Sequence, residues 1–143
     1  MRYMPTLKKS LEIDAPPTEV WRVLTTPELV REWAAVYLDG ISIRTSWREG
    51  EQITWRAPDG STQAVGEIAA FEPERLLKIE YQAEARGAFP DTFEIVAKED
   101  STWLNMSTGR LDEAELRTVE LAEEVIREIK SLAEESAQIH GLR

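Results

Sequence analysis

Residues 15–33 read APPTEVWRVLTTPELVREW, two short helices split by a proline. Pro16 and Pro17 suit the entry and first turn of a helix, where a missing N–H costs no intrahelical bond. Val20, Trp21 and Leu24 then share one apolar face. Thr25 or Thr26 ends this helix and caps the next, which opens on Pro27. Leu29, Val30 and Trp33 repeat the apolar spacing. A broken pair of this kind suits a notch across the open edge of a curved sheet better than it suits a bundle.

Working outward, Thr6 to Asp14 alternates, with Leu7, Leu11 and Ile13 on one face, and reads as a strand. From Ile41 to Thr108 the apolar period is two. Ile41, Ile43 and Thr45 share a face before a turn at Arg48-Glu49-Gly50. Glu51 to Ala57 presents Ile53 and Trp55 together. Gln63 to Phe71 follows, with Gly66 as a bulge or close approach, and then Leu76 to Ala83, where Leu77, Ile79 and Tyr81 alternate. Pro58-Asp59-Gly60-Ser61 and Pro73-Glu74-Arg75 supply the turns. Ala85 to Pro90 reads as an irregular link. Thr92 to Lys98 and Thr102 to Thr108 form a last hairpin around Glu99-Asp100-Ser101.

After Asp112, a candidate N-cap, helical spacing runs to about Gln138 through Leu116, Val119, Ala122, Ile126, Ile129 and Ala133. Such a helix is roughly 40 Å long, about the width of a compact chain of this size. It must therefore cross the domain with its apolar stripe against the sheet.

The 143 residues suit a single domain spanning 1–143, large enough for a full hydrophobic core. There is no cysteine, and 27 acids against 17 bases give a net charge of −10. That field repels phosphate backbones and anionic membranes alike, so neither nucleic acid nor membrane insertion is expected. MRYMPTLKKS lacks the apolar core of a signal peptide, and a cytoplasmic location is the expectation. The abundant surface charge suits a monomer or a weak homodimer.

Catalytic chemistry finds little support. The lone histidine, His140, falls where a frayed C-terminus is expected, and without cysteine no His/Cys metal site or triad assembles. No catalytic residue, metal or cofactor is therefore expected. Glu67, Glu80, Asp91 and Glu94 are strand carboxylates that would serve as acids only if turned into an apolar cavity. Alternation turns Glu80 and Glu94 outward, opposite Tyr81 and Phe93. Arg44 and Arg56 face outward by the same parity, while Arg110 could pair with a ligand carboxylate. Trp33, Tyr37, Trp47, Trp55, Tyr81, Phe93 and Trp103 are aromatic positions on or near the sheet. Taken singly each fits core filling. Trp47 and Trp55 fall on neighbouring predicted strands with their faces towards the last helix.

The order of strand, two short helices, about six further antiparallel strands and a long helix is that of the helix-grip, or START-like, fold. The chain resembles the family named after the activator of the heat-shock-protein-90 ATPase, within the START-related and birch-pollen-allergen-like group. The resemblance rests on Ile13 with Ala15-Pro16 and Val20-Trp21; on Leu24-Thr25, Pro27-Glu28 and Trp33; on Gly66-Glu67-Ile68, Phe71-Glu72-Pro73 and Arg75-Leu76; and on the closing amphipathic helix. The stretch Ile41 to Trp47 departs from it in lacking paired glycines, and the last helix in lacking a tryptophan.

The resemblance implies an α+β fold, with a curved sheet of six to seven strands curled around the C-terminal helix and a cavity between them. It implies an apolar or amphipathic small molecule as partner, held by Trp33, Trp47, Trp55, Tyr81, Phe93, Val119 and Ile126. Such a cavity would measure several hundred cubic ångströms. Two alternatives follow from the breadth of the group: a cyclase or hydratase using a buried carboxylate with Tyr81, and a chaperone-binding module with a protein partner.

Overall fold

The computed structural model describes residues 7–37, 39–83, 87–108 and 115–141, with residues 7, 83, 87–89 and 115–119 described by their backbone alone. β1 (Leu7–Ile13) leads into α1 (Pro17–Thr25) and α2 (Pro27–Ala34). Six strands follow: β2 (Ser42–Arg44), β3 (Gln52–Arg56), β4 (Thr62–Glu72), β5 (Leu76–Ala83), β6 (Gly87–Ala97) and β7 (Thr102–Thr108). The helix α3 (Glu115–Ile139) comes last.

All seven strands form one antiparallel sheet in the order β1-β7-β6-β5-β4-β3-β2. β2 to β7 are a meander, and β1 closes it by pairing with β7. The first two strands are thus the two opposite edges of the sheet. The chain between them must cross its whole width, about 29 Å for six inter-strand spacings. α1 and α2 together reach roughly 25 Å. This is the work of the proline-split helix pair. Register shifts between Trp55 and Arg56 and between Ile68 and Ala70 bend the sheet as bulges do.

The helix boundaries follow the prolines. Pro17 and Pro27 open α1 and α2, and Thr26 is the hinge between them. No side-chain cap forms there. Thr25 instead donates its hydroxyl to the Trp21 carbonyl at 2.9 Å, within its own helix. The turn signals are all used: Gly50 and Gly60 take φ of 89° and 90°, and Asp59 accepts from the Ser61 N–H at 2.8 Å. Gly66 is a close approach, since a Cβ there would meet the Glu80 carbonyl oxygen at 2.7 Å.

Two expectations about the strands are corrected. β6 begins at Gly87, so residues 87–90 are strand where an irregular link was expected. Pro90 pairs with Glu80 of β5, and the described pairing of β6 with β7 begins one residue later, at Asp91 with Thr108, so among the described residues no ladder bond is asked of the proline nitrogen. β2 ends at Arg44, so Trp47 lies in the connection to β3 and on no strand. Asp112, Arg110 and Thr6 lie outside the described residues.

α3 packs on β1 and α1. Its apolar stripe is buried through Ala122, Val125, Ile126, Ile129, Leu132 and Ala133. Polar groups then pin it to β1: Lys9 Nζ donates to Glu123 at 2.9 Å, and Lys130 Nζ to the Glu12 carbonyl at 3.0 Å. Among the described residues no helix is long and apolar enough to cross a membrane.

Candidate functional site

The sheet face under α1 and α2 carries the aromatic residues. Alternation along β3, β5 and β6 turns Ile53 and Trp55, Leu77, Ile79 and Tyr81, and Asp91 and Phe93 to that one side. Leu24 of α1 and Val30 and Trp33 of α2 close over them, and Tyr37, Ile43 and Trp47 complete the described lining of a hollow. Trp33, Trp47, Trp55, Tyr81 and Phe93 therefore meet in one place. Ile126 is buried in the core without lining the hollow, and the side chain of Val119 lies outside the described residues. The described wall comes from α1, α2, the sheet and the connections that carry Tyr37 and Trp47.

The rings pack mostly edge to face, as their quadrupoles favour. Trp55 is central. It meets Trp33 at 6.3 Å, Tyr37 at 5.7 Å and Tyr81 at 6.3 Å between ring centroids. Its indole N–H donates to the Tyr81 hydroxyl oxygen at 2.9 Å. Trp33 donates its indole N–H to the Val23 carbonyl at 3.0 Å, tying α2 to the last turn of α1. Both tryptophans are buried, at 4% and 8% exposure. Trp47 is different: it is half-buried and its backbone has φ of 58°.

Asp91 is the charged residue in the described lining, half-buried, and its Oδ1 accepts from the Thr108 hydroxyl at 2.5 Å. Sequence reasoning had it among four strand carboxylates. Parity with Phe93 distinguishes it, since Glu67, Glu80 and Glu94 are all exposed. The packing leaves little room. The space open to the centre of a water-sized sphere is about 20 Å³, enough for one water and well below the several hundred expected.

A second polar arrangement lies where α1 meets α3. Glu19 is 1% exposed, yet its Oε1 accepts from the Ser136 hydroxyl at 2.5 Å and lies 3.3 Å from both Arg22 Nε and His140 Nδ1. Burial pushes this carboxyl up, but the Ser136 hydroxyl, Arg22 and His140 together outweigh it and hold the group below its ordinary 4.5. His140 is exposed but reaches Glu19 of α1, and its backbone N–H bonds the Ser136 carbonyl at 3.0 Å, where a frayed end was expected. The available signal was helical: Glu19 is four residues before Val23, on the buried face of α1. Among the described residues no cluster of His, Cys, Asp and Glu is arranged to hold a metal.

The family described as Activator of Hsp90 ATPase homolog 1-like protein matches residues 14–134. The chain belongs to this family. Its fold is shared by several solved structures. Protein MLL2253 from Mesorhizobium loti is similar over 90% of this chain and 96% of its own, with a TM-score of 0.71 and 21% identity. ChR145 from Cytophaga hutchinsonii covers 96% and 99%, with a TM-score of 0.75 and 18% identity. CalU16 from Micromonospora echinospora covers 90% of this chain and 65% of its own, with a TM-score of 0.68 and 23% identity. At such identities the likeness is one of fold. No curated protein matches the chain in sequence.

Proposed function

We propose that this single helix-grip domain binds an uncharged, ring-bearing small molecule in the hollow between the sheet and the α1–α2 pair. One observation carries the reading: aromatic side chains from α2, the β2–β3 connection, β3, β5 and β6 converge on one apolar space. Trp and Tyr offer large apolar area at little entropic cost. The described lining holds a carboxylate and no cation, and the chain has a net charge of −10. Both disfavour fatty acids and other anions. The present 20 Å³ means that a ligand enters by displacing an aromatic side chain, not by filling a standing void.

A thermal-shift panel of neutral ring compounds against fatty acids tests this. A ligand at a hundred times its dissociation constant adds about 2.7 kcal/mol, or roughly 5–10 °C. Such a shift from a neutral ring compound, and none from the fatty acids, is the expected outcome. A flat panel sinks the reading.

The inward position of Asp91 keeps an acid–base enzyme of the cyclase or hydratase type as second reading, with Asp91 and Tyr81 as its groups. Asp91→Asn would then abolish turnover of a bound ligand while leaving its affinity nearly intact. The chaperone-binding alternative draws less support, because among the described residues the one exposed large hydrophobic is Ile139.

A further inference from the structure

A hollow with room for one water must open before a ring can enter, and the three tryptophans around it are not held alike. The indole N–H groups of Trp33 and Trp55 are both bonded inside the protein. That of Trp47 has no acceptor among the described residues, and its side chain is half-exposed, at the border between the hollow and solvent. Its φ of 58° crowds Cβ against the backbone, a conformation that a bulky residue rarely keeps without a constraint.

The chain around Trp47 is a short strap fixed at both ends. Arg44 pairs with Thr54 of β3 on one side. On the other, Gly50 N–H donates to the Ile68 carbonyl at 2.8 Å and Ile68 N–H to the Glu51 carbonyl at 2.9 Å. Between these anchors the Trp47 N–H bonds a side chain, Thr45 Oγ1, at 3.3 Å.

We propose that Trp47 is the gate of the hollow. The left-handed backbone holds the indole against the apolar core at the edge of the hollow, and a return to extended φ swings it out. Apolar burial favours the closed state and backbone strain the open one, so the two oppose each other within one residue. The proposal rests on the binding reading and adds how the site is regulated.

Arg48→Pro is the sharpest test. Arg48 is exposed, and a proline there pushes the preceding residue towards extended backbone while leaving the indole intact. Trp47→Gly is the second variant, removing both the ring and the strain. The probe is N-phenyl-1-naphthylamine, a neutral fluorophore, used on protein labelled with 5-fluorotryptophan. Saturating the unmodified protein is expected to move the Trp47 fluorine resonance towards its position in Arg48→Pro. Arg48→Pro is expected to bind about tenfold more tightly, as for an open state populated about one time in ten. Trp47→Gly should bind at least as tightly, and decides the matter if Arg48→Pro does not fold. Binding with the Trp47 resonance unmoved, or with affinity unchanged in both variants, overturns the gate and leaves the binding reading standing. Binding by none of the three proteins overturns the binding reading, and the gate with it.

Discussion

Two parts of the same hollow are built on different terms. The inner wall, Trp33, Trp55 and Tyr81, is buried, ring-packed and tied by two indole hydrogen bonds. The rim, Trp47, is half-buried, is held by one bond from its own N–H to Thr45, and carries an unfavourable φ. Packing and polar satisfaction agree in the wall and give one rigid arrangement. At the rim they oppose each other, which is how a protein builds a part that moves.

Attacking the wall should cost most. Trp55→Ala removes the central ring and the indole N–H that donates to the Tyr81 hydroxyl, and is expected to destabilise by about 3–5 kcal/mol in urea unfolding. A loss under about 1 kcal/mol would show that the wall is no wall.

Next comes the support behind it. The carbonyl that holds Trp33 belongs to Val23 of α1, and α1 is locked to α3 through Glu19. Glu19→Ala should cost about 2–3 kcal/mol by stripping a buried, hydrogen-bonded carboxylate from its partners. The same lock gives a pH dependence. Because its folded value is lowered from 4.5, the Glu19 contribution is complete above that pH and lost as pH falls through the lower folded value. Stability measured from pH 6 to pH 3 should therefore fall less steeply in Glu19→Gln than in the unmodified protein. Parallel curves would remove Glu19 from the account.

A smaller effect tests how tightly β4 and β5 hold the wall. At Gly66 a Cβ would meet the Glu80 carbonyl at 2.7 Å and the Tyr81 ring at 2.9 Å. Gly66→Ala should cost about 1–3 kcal/mol and displace Tyr81, seen as a change in near-ultraviolet circular dichroism.

The rim should cost least. In Trp47→Gly, relief of about 1–2 kcal/mol of backbone strain offsets a similar loss of half-buried apolar area, for a net change within about 1 kcal/mol. A loss comparable to that of Trp55→Ala would make Trp47 part of the wall and erase the comparison.

These differences also explain what could be read from the sequence. The helix pair was legible because Pro17 and Pro27 restrict the backbone locally, and the sheet because period two survives along β3 to β7. Parity turned Trp55, Tyr81 and Phe93 to one face of the sheet, whereas the hollow itself and the place of Trp33 in it came from the family resemblance. What was not legible depended on neighbours. Pro90 lies in β6 just before the described pairing with β7 begins at Asp91, and Trp47 left its strand because β2 keeps three residues of pairing. Glu19 and His140 are 121 positions apart, and no local pattern announces their meeting.

The most direct test follows the five indole N–H signals in a two-dimensional ¹H–¹⁵N spectrum during titration with N-phenyl-1-naphthylamine. Trp33, Trp47 and Trp55 line the hollow, whereas Trp21 packs on Phe71 and Trp103 is on the other sheet face, in register with Glu12 and Val96. The account predicts that the first three signals shift together and saturate while the other two stay in place. Movement of Trp21 or Trp103 alone, or of none of the five, would contradict it.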